Sequence, residues 1–168
     1  MKVLVFALAV LMLAGATFAQ EHSGLVFLVR HAEKESQEKN ALLNKEGLQR
    51  AKCLSHLLAE AEIKKIFVTE VQRTQQTADP LAKILGFKPV VLNPYDIQGL
   101  ISQLQANNTS NILVVAHSDT LPKILNALGA GQIPKISETE FDRMFVFHYN
   151  EGSKQGTVTL LRYCDCNP

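Results

Sequence analysis

Apolar runs and helix-spaced apolar residues alternate along this chain, and their order predicts its architecture. Four short apolar runs, in part β-branched, predict strands over 24–29, 63–68, 89–92 and 111–116. Apolar residues at helical spacing predict helices over 45–61, 72–85, 97–105 and 120–128. Two last segments, 144–149 and 157–163, predict a hairpin around Asn150-Glu151-Gly152. We therefore expect an α/β fold: a three-layer α/β/α sandwich with a mainly parallel central sheet and an antiparallel C-terminal edge.

Local signals mark several helix boundaries. Asn44 stands where an N-cap residue would begin the first helix, and Gly86 stands where the second would end. Pro80 lies inside the second helix, so we expect it to kink that helix or divide it in two. Pro122 falls in the first turn of the fourth helix, where proline is tolerated.

The first 19 residues have the pattern of a secretory signal peptide. Lys2 gives a positively charged start, an apolar run over 3–13 follows, and Thr17-Phe18-Ala19 places small residues before the cleavage point. A membrane anchor is the alternative, but the apolar run is shorter than the roughly 20 residues of a spanning helix. We expect cleavage after Ala19, one domain over 20–168, no stable membrane anchor afterwards, and a periplasmic or secreted location.

The charge of the chain argues against nucleic acid as a partner. There are 17 Lys and Arg and 16 Asp and Glu. Removal of residues 1–19 takes away one basic residue, Lys2, and leaves the two signs equal. We expect no nucleic-acid partner, and any attraction for anions must be local. The sequence leaves the oligomeric state open.

The sequence has three cysteines, Cys53, Cys164 and Cys166, whose pairing depends on the compartment. An exported chain meets an oxidising compartment, where a disulfide is plausible, and the odd number leaves one thiol over in a monomer. Pairing of Cys53 with a C-terminal cysteine and the absence of any pair stand as equal alternatives. The spacing argues against a zinc site.

Charged residues follow three of the predicted strands. Arg30 and His31 follow the first, Arg73 lies just beyond the second, and His117 follows the strand over 111–116. Ligands of such sheets bind at the carboxyl ends of the strands, so we expect these four side chains to meet. Burying so much positive charge without an anion would be costly. A phosphate group matches guanidinium in shape and charge.

The chain resembles the histidine phosphatase superfamily, which is phosphoglycerate mutase-like, in three motifs. They are Arg30-His31-Ala32-Glu33, Arg73-Thr74-x-x-Thr77-Ala78 and His117-Ser118-Asp119-Thr120. Order and spacing agree over nearly all of residues 20–168. The resemblance is closest to the small, exported, single-domain bacterial members, which share RHAEK, RTQQTA and a late stretch that is here Glu140-Phe141-Asp142-Arg143.

This resemblance implies a role for each motif residue. His31 would be the nucleophile and form a phosphohistidine, while Arg30, Arg73 and His117 would hold the phosphoryl oxygens. Neighbouring cations keep an imidazole unprotonated and stabilise charge on the transferring group. The resemblance implies no metal and no other cofactor.

The proton donor to the leaving group is the main gap. Larger relatives use a glutamate in an insertion that is absent here, which leaves Asp96 and Asp119 as the candidates. We expect Glu33 and Glu70 to orient the arginines instead. Without a strong acid, substrates with good leaving groups would be favoured.

Two functions from different classes follow. The first is a phosphomonoesterase acting on a small-molecule or envelope phosphomonoester through phospho-His31. The alternative is a phosphate-ligand binding protein with a degenerate, catalytically weak site. A mutase is disfavoured because the loops that would hold a bisphosphate are short. Asp142 and Arg143 predict an ion pair, unless Arg143 contacts the substrate.

Overall fold

A six-stranded sheet forms the centre of the computed structural model, which describes residues 23–150 and 156–164. The strands are β1 (Leu25–Arg30), β2 (Ile63–Thr69), β3 (Val90–Leu92), β4 (Asn111–Ala116), β5 (Arg143–Tyr149) and β6 (Gly156–Arg162). Their order across the sheet is β3-β2-β4-β1-β5-β6. The first four run parallel, and β5 and β6 add an antiparallel edge. The predicted fold class is confirmed.

Four helices cover the two faces of this sheet. They are α1 (Lys45–Leu58), α2 (Gln72–Leu85), α3 (Ile97–Gln105) and α4 (Leu121–Ala127). Leu54 of α1 and Leu81 of α2 belong to one buried cluster, whereas Leu104 of α3 and Leu125 of α4 belong to the other. Alternate residues of the central strands enter the two clusters, which is why those strands read as continuous apolar runs. Within the described ranges, no helix has the length and apolar character needed to cross a membrane.

The predicted helix boundaries agree closely with the structure. The Asn44 side chain accepts a hydrogen bond from the backbone N–H of Gly47 at 2.8 Å and so caps α1. Gly86 follows α2 in the left-handed conformation, with φ of 75°. Of the two effects expected of Pro80, a kink or a division, the division does not occur, because α2 continues through Pro80 as one element. Helix α1 ends at Leu58 rather than residue 61, because the chain turns there into β2.

A disulfide joins Cys53 of α1 to Cys164, just after β6. The sequence left this pairing open, and the structure contains it. It closes a loop with a sequence separation of 111 residues. In the chain-entropy description, a loop of this size stabilises the fold by about 5 kcal/mol.

Some sequence-based expectations fall outside the described residues. They are the signal peptide over 1–19, the new N-terminus near Gln20, Glu151 and Gly152 of the hairpin tip, and Cys166.

Candidate active site

Three parallel strands bring the predicted site residues to one edge of the sheet. Because β2, β4 and β1 are neighbours, their carboxyl ends lie side by side. Arg30 ends β1 and His31 follows it, Arg73 lies in the first turn of α2, and His117 follows β4. All four line one cavity of about 650 Å³.

His31 is buried, and its environment selects one form of its imidazole. Its Nδ1 lies 2.8 Å from the carbonyl oxygen of Ala32. A carbonyl only accepts hydrogen bonds, so Nδ1 carries the proton and donates, which leaves the lone pair of a neutral ring on Nε2. Burial, with the charges of Arg30 and Arg73, lowers the pKa of His31 to about 3 despite the opposing effect of the Ala32 hydrogen bond. The ring is therefore neutral at pH 7.

Arg30 is held by the loop that precedes β5. Its Nη1 donates to the backbone carbonyls of Ser137, Glu138 and Glu140 at 2.9, 2.9 and 3.1 Å. Its Nη2 donates to the Glu138 carboxylate at 2.8 Å. The guanidinium carbon lies 4.1 Å from the centre of the Phe141 ring, a cation–π contact. Burial lowers the pKa of Arg30, although Glu138 opposes this effect. These contacts fix the guanidinium in one orientation.

Arg73 approaches the cavity from α2. Its Nη1 donates to the backbone carbonyl of Lys39 at 2.7 Å. The Nε atoms of Arg73 and Arg30 are both buried without a hydrogen-bond partner in the part of the chain that the structure describes. Burial lowers the pKa of Arg73, whereas Asp119 and Glu138 raise it. Unpartnered buried donors are costly, so these two N–H groups point to an anion as their partner.

His117 lies against His31, with 5.4 Å between the ring centres. Its Nε2 lies 3.1 Å from the hydroxyl oxygen of Thr69, the last residue of β2. Burial, together with the charge of Arg73, lowers the pKa of His117 to about 4, although Asp119 acts in the opposite direction. Both histidines are therefore neutral at pH 7, and the guanidiniums of Arg30 and Arg73 carry positive charge beside them.

The candidate acids occupy different places. Asp119 and Glu70 line the cavity. Asp96 does not: its side chain caps α3 by accepting a hydrogen bond from the backbone N–H of Gly99 at 2.9 Å. The carboxylate of Glu33 accepts from Arg50 at 2.7 Å, so it orients neither Arg30 nor Arg73 as expected.

Glu138 is a cavity residue that the sequence did not reveal. Its carboxylate accepts from Arg30 and, at 2.8 Å, from the hydroxyl of Ser118. The Ser118 hydrogen bond and then the charge of Arg30 hold the pKa of Glu138 below its usual range, although partial burial acts in the opposite direction. The residue lies in a loop after α4 rather than behind a strand, so the strand-end rule could not find it.

Arg143 and Asp142 do not form the predicted pair with each other. Arg143 donates to Glu140 at 2.6 Å, and Arg162 donates to Asp142, also at 2.6 Å. Arg143 is not among the residues that line the cavity. Among the described residues, no group of three or more His, Cys, Asp or Glu side chains is arranged to hold a metal ion.

Comparison with known proteins relates part of this chain to a family. A family model described as histidine phosphatase superfamily (branch 1) matches residues 26–94. The match runs from β1 through α2 to the segment after β3, and so includes Arg30, His31 and Arg73. Over residues 26–94 the chain is therefore similar to the histidine phosphatase superfamily. Arg30, His31 and Arg73 all lie in the matched segment and line one cavity, which supports an enzyme of the phosphatase class.

Solved structures extend the likeness to most of the length of this chain. The protein histidine phosphatase SixA, bound to tungstate, is 20% identical, with a TM-score of 0.67 over 85% of this chain and 99% of that one. The alpha-ribazole phosphatase from Shigella flexneri is 16% identical, with a TM-score of 0.67 over 82% and 96%. A mycobacterial glucosyl-3-phosphoglycerate phosphatase is 12% identical, with a TM-score of 0.66 over 84% and 98%. At these identities the likeness shows a common fold. A search of curated proteins found no match.

Proposed function

We propose that this protein is a histidine phosphatase that hydrolyses a phosphomonoester through a phosphohistidine on His31. The observation that carries the proposal is the contact between Nδ1 of His31 and the carbonyl oxygen of Ala32. It leaves Nε2 unprotonated, and the low pKa of the ring keeps it so at neutral pH. A neutral imidazole with a free Nε2 is the form that attacks phosphorus.

The reaction has two displacement steps. Nε2 of His31 attacks phosphorus, a P–N bond forms, and the P–O bond to the leaving group breaks as that oxygen takes up a proton. Water then attacks the phosphohistidine, the P–N bond breaks, and inorganic phosphate leaves with His31 restored to its neutral form. The protein positions the phosphoryl group and balances its charge in both steps.

Arg30 and Arg73 supply the charge for this chemistry. Their unpartnered Nε–H groups are available to phosphoryl oxygens, and both arginines line the same cavity. Fixed donors in a site of low dielectric stabilise developing negative charge without reorganisation. We therefore propose that the reaction proceeds without a metal ion, with two guanidiniums in the place that a metal holds in other phosphoryl-transfer enzymes.

The proton for the leaving group comes, in this proposal, from the acidic residues that line the cavity. Asp119 has the better position of the two acids suggested by sequence, because Asp96 caps α3 away from the cavity lining. The pKa of Glu138 is lowered, which makes its carboxyl group a poor acid at neutral pH. Esters with good leaving groups should therefore be the faster substrates.

The location and substrate class are part of the proposal. The residue pattern over 1–19 and the disulfide between Cys53 and Cys164 both favour a periplasmic or secreted enzyme. A cavity of about 650 Å³ accommodates a phosphorylated small molecule or part of an envelope component. The structural neighbours are named for quite different substrates, including a protein histidine, alpha-ribazole phosphate and a glycosylated phosphoglycerate.

Hydrolysis of p-nitrophenyl phosphate by matched histidine variants tests the function. His31→Ala should abolish turnover, whereas His148→Ala, on the exposed side of β5, should leave it unchanged. Undiminished turnover in His31→Ala would refute the assignment of His31 as the nucleophile. Calorimetric binding of inorganic phosphate, without turnover of any ester in a panel of phosphorylated metabolites, would instead favour the phosphate-binding alternative.

A further inference from the structure

Two buried threonines connect the start of α2 with His117. The hydroxyl oxygen of Thr69 lies 3.1 Å from Nε2 of His117 and 3.0 Å from the hydroxyl oxygen of Thr74. Thr74 is fully buried, and Thr69 and His117 are nearly so. Buried polar groups must find partners, so the protons in this series of hydrogen bonds have few possible positions.

The contacts of Thr74 determine which group donates in each of these hydrogen bonds. Its hydroxyl has one proton, and its shortest contact is with the backbone carbonyl of Val71 at 2.8 Å, which can only accept. The Thr74 oxygen in turn accepts from the backbone N–H of Thr69 at 3.1 Å. With the Thr74 proton directed to Val71, the short contact between the two hydroxyls requires Thr69 to donate to Thr74.

The direction of the Thr69 hydroxyl then fixes the role of Nε2 in His117. Since the Thr69 proton points to Thr74, the Thr69 oxygen accepts, and Nε2 of His117 must be the donor. The reverse arrangement, with Thr69 donating to Nε2, leaves two hydroxyl oxygens 3.0 Å apart with no proton between them unless Thr74 abandons its shortest contact.

We propose that Thr69, held in place by Thr74, is a positioning residue that keeps neutral His117 protonated at Nε2, with the Nδ1 lone pair left for the substrate. The inference rests on the proposed function, because it states how His117 meets the phosphoryl group. His117 lines the cavity, and Nδ1 makes no hydrogen bond to the described residues.

As a consequence, Nδ1 of His117 accepts a hydrogen bond from the ligand. A phosphoryl oxygen also carries lone pairs, so a hydrogen bond between it and Nδ1 must contain a proton, which enters with a P–OH group of the monoanionic ester. Arg30, Lys34 and Arg73 disfavour a positive charge on His117, whereas Asp119 favours it. His31 and the carboxylates of Glu70 and Glu138 also line this cavity. His117 thus differs from the guanidiniums, which only donate.

The tautomer of His117 can be measured without any turnover. The ring nitrogens of ¹⁵N-labelled protein at pH 7.5 report protonation directly, and His117→Asn identifies the resonances. We expect a protonated Nε2 and an unprotonated Nδ1 in the wild-type protein and in Thr69→Ser. In Thr69→Val, which removes the hydroxyl, the preference for one tautomer should be lost. A protonated Nδ1 in neutral wild-type His117 would overturn the proposal.

Kinetics with the same variants distinguish positioning from simple packing. We expect Thr69→Val to lower kcat on p-nitrophenyl phosphate about tenfold, the effect of one oriented hydrogen bond. Thr69→Ser should restore most of the activity, and Thr159→Val, at an exposed position of β6, should have none of this effect. Equal losses in Thr69→Val and Thr69→Ser would contradict a role for the hydroxyl. Absence of turnover in the wild type would refute the proposed function, while the tautomer measurement would still test this inference.

Discussion

Nδ1 of His31 lies 2.8 Å from the carbonyl oxygen of Ala32, the residue that follows it in the chain. This one contact assigns the ring proton to Nδ1 and directs the lone pair of Nε2 away from the backbone. Burial and two neighbouring guanidiniums keep the ring neutral. Local geometry therefore holds His31 in the form that the proposed attack on phosphorus requires, before any substrate enters.

Activity should require the several N–H donors of the Arg73 guanidinium and not merely its positive charge. Arg73→Lys keeps the charge but loses the Nε–H and the bond from Nη1 to the Lys39 carbonyl. We expect kcat/KM for p-nitrophenyl phosphate to fall about 100-fold, as after loss of one charge-stabilising donor. Arg162→Lys, at an exposed ion pair with Asp142, is the matched control and should retain full activity. Equal activity of Arg73→Lys and the wild type would exclude bidentate binding at this position.

Removal of the Glu138 charge should strengthen the binding of phosphate. The carboxylate occupies a donor of Arg30 and places a negative charge in the cavity that receives the anion. Glu138→Gln retains an acceptor for Arg30 but removes the repulsion, so the inhibition constant of inorganic phosphate should fall several-fold. Glu140→Gln, whose carboxylate pairs with Arg143 and Arg162, serves as the control. Weaker phosphate inhibition in Glu138→Gln would show that Glu138 instead supports the site by holding Arg30.

Stability should decrease as the pH falls below the ordinary pKa of histidine. The pKa values of His31 and His117 are lowered to about 3 and about 4 in the folded state, against about 6.5 for an unperturbed histidine. Between these limits the unfolded chain binds more protons, so protonation favours unfolding. Each histidine contributes at most about 1.4 kcal/mol per pH unit to this loss.

Urea unfolding between pH 7.5 and pH 4 measures this dependence. His117→Asn removes one of the two groups, so its free energy of unfolding should vary less with pH than that of the wild type. His148→Asn, on the exposed side of β5, should retain the wild-type dependence. An unchanged slope in His117→Asn would mean that His117 is not buried in its neutral form.

The disulfide should contribute strongly to stability. Cys53 and Cys164 join α1 to the chain beyond β6, next to the Arg50 contact with the Cys164 carbonyl at 2.7 Å. Reduction should lower the free energy of unfolding by about 2–5 kcal/mol, measured in urea with and without reductant. In Cys53→Ser the reductant should have no further effect. Equal stability of the oxidised and reduced wild type would show that this link does not constrain the unfolded chain.

The sequence predicted both the central strands and the four candidate site residues, because the position of the candidates depends on where the strands end. Buried parallel strands appear as apolar runs, and the residues that follow those runs meet at one edge, as Arg30, His31 and His117 do. The rule contains no information about side chains from later loops. Glu138 reaches Arg30 across 108 positions of sequence, and only the folded chain brings them together.

The acids were harder to predict for a different reason. An aspartate before a helix can cap that helix or face a ligand, and the residue type is the same in both cases. Asp96 caps α3, whereas Asp119 lines the cavity. Glu33 lies two residues after His31, yet it pairs with Arg50 because α1 packs behind that loop. Local sequence identifies such residues, but tertiary packing selects their partners.

Detection of the phosphoryl group on His31 tests the central claim most directly. The enzyme is mixed with p-nitrophenyl phosphate, quenched in alkaline denaturant within the first turnovers, and digested for mass spectrometry. We expect phosphohistidine on the peptide that contains His31 in the wild type and none in His31→Ala. Rapid hydrolysis by the wild type with an unmodified His31, or with the phosphoryl group on another residue, would contradict it.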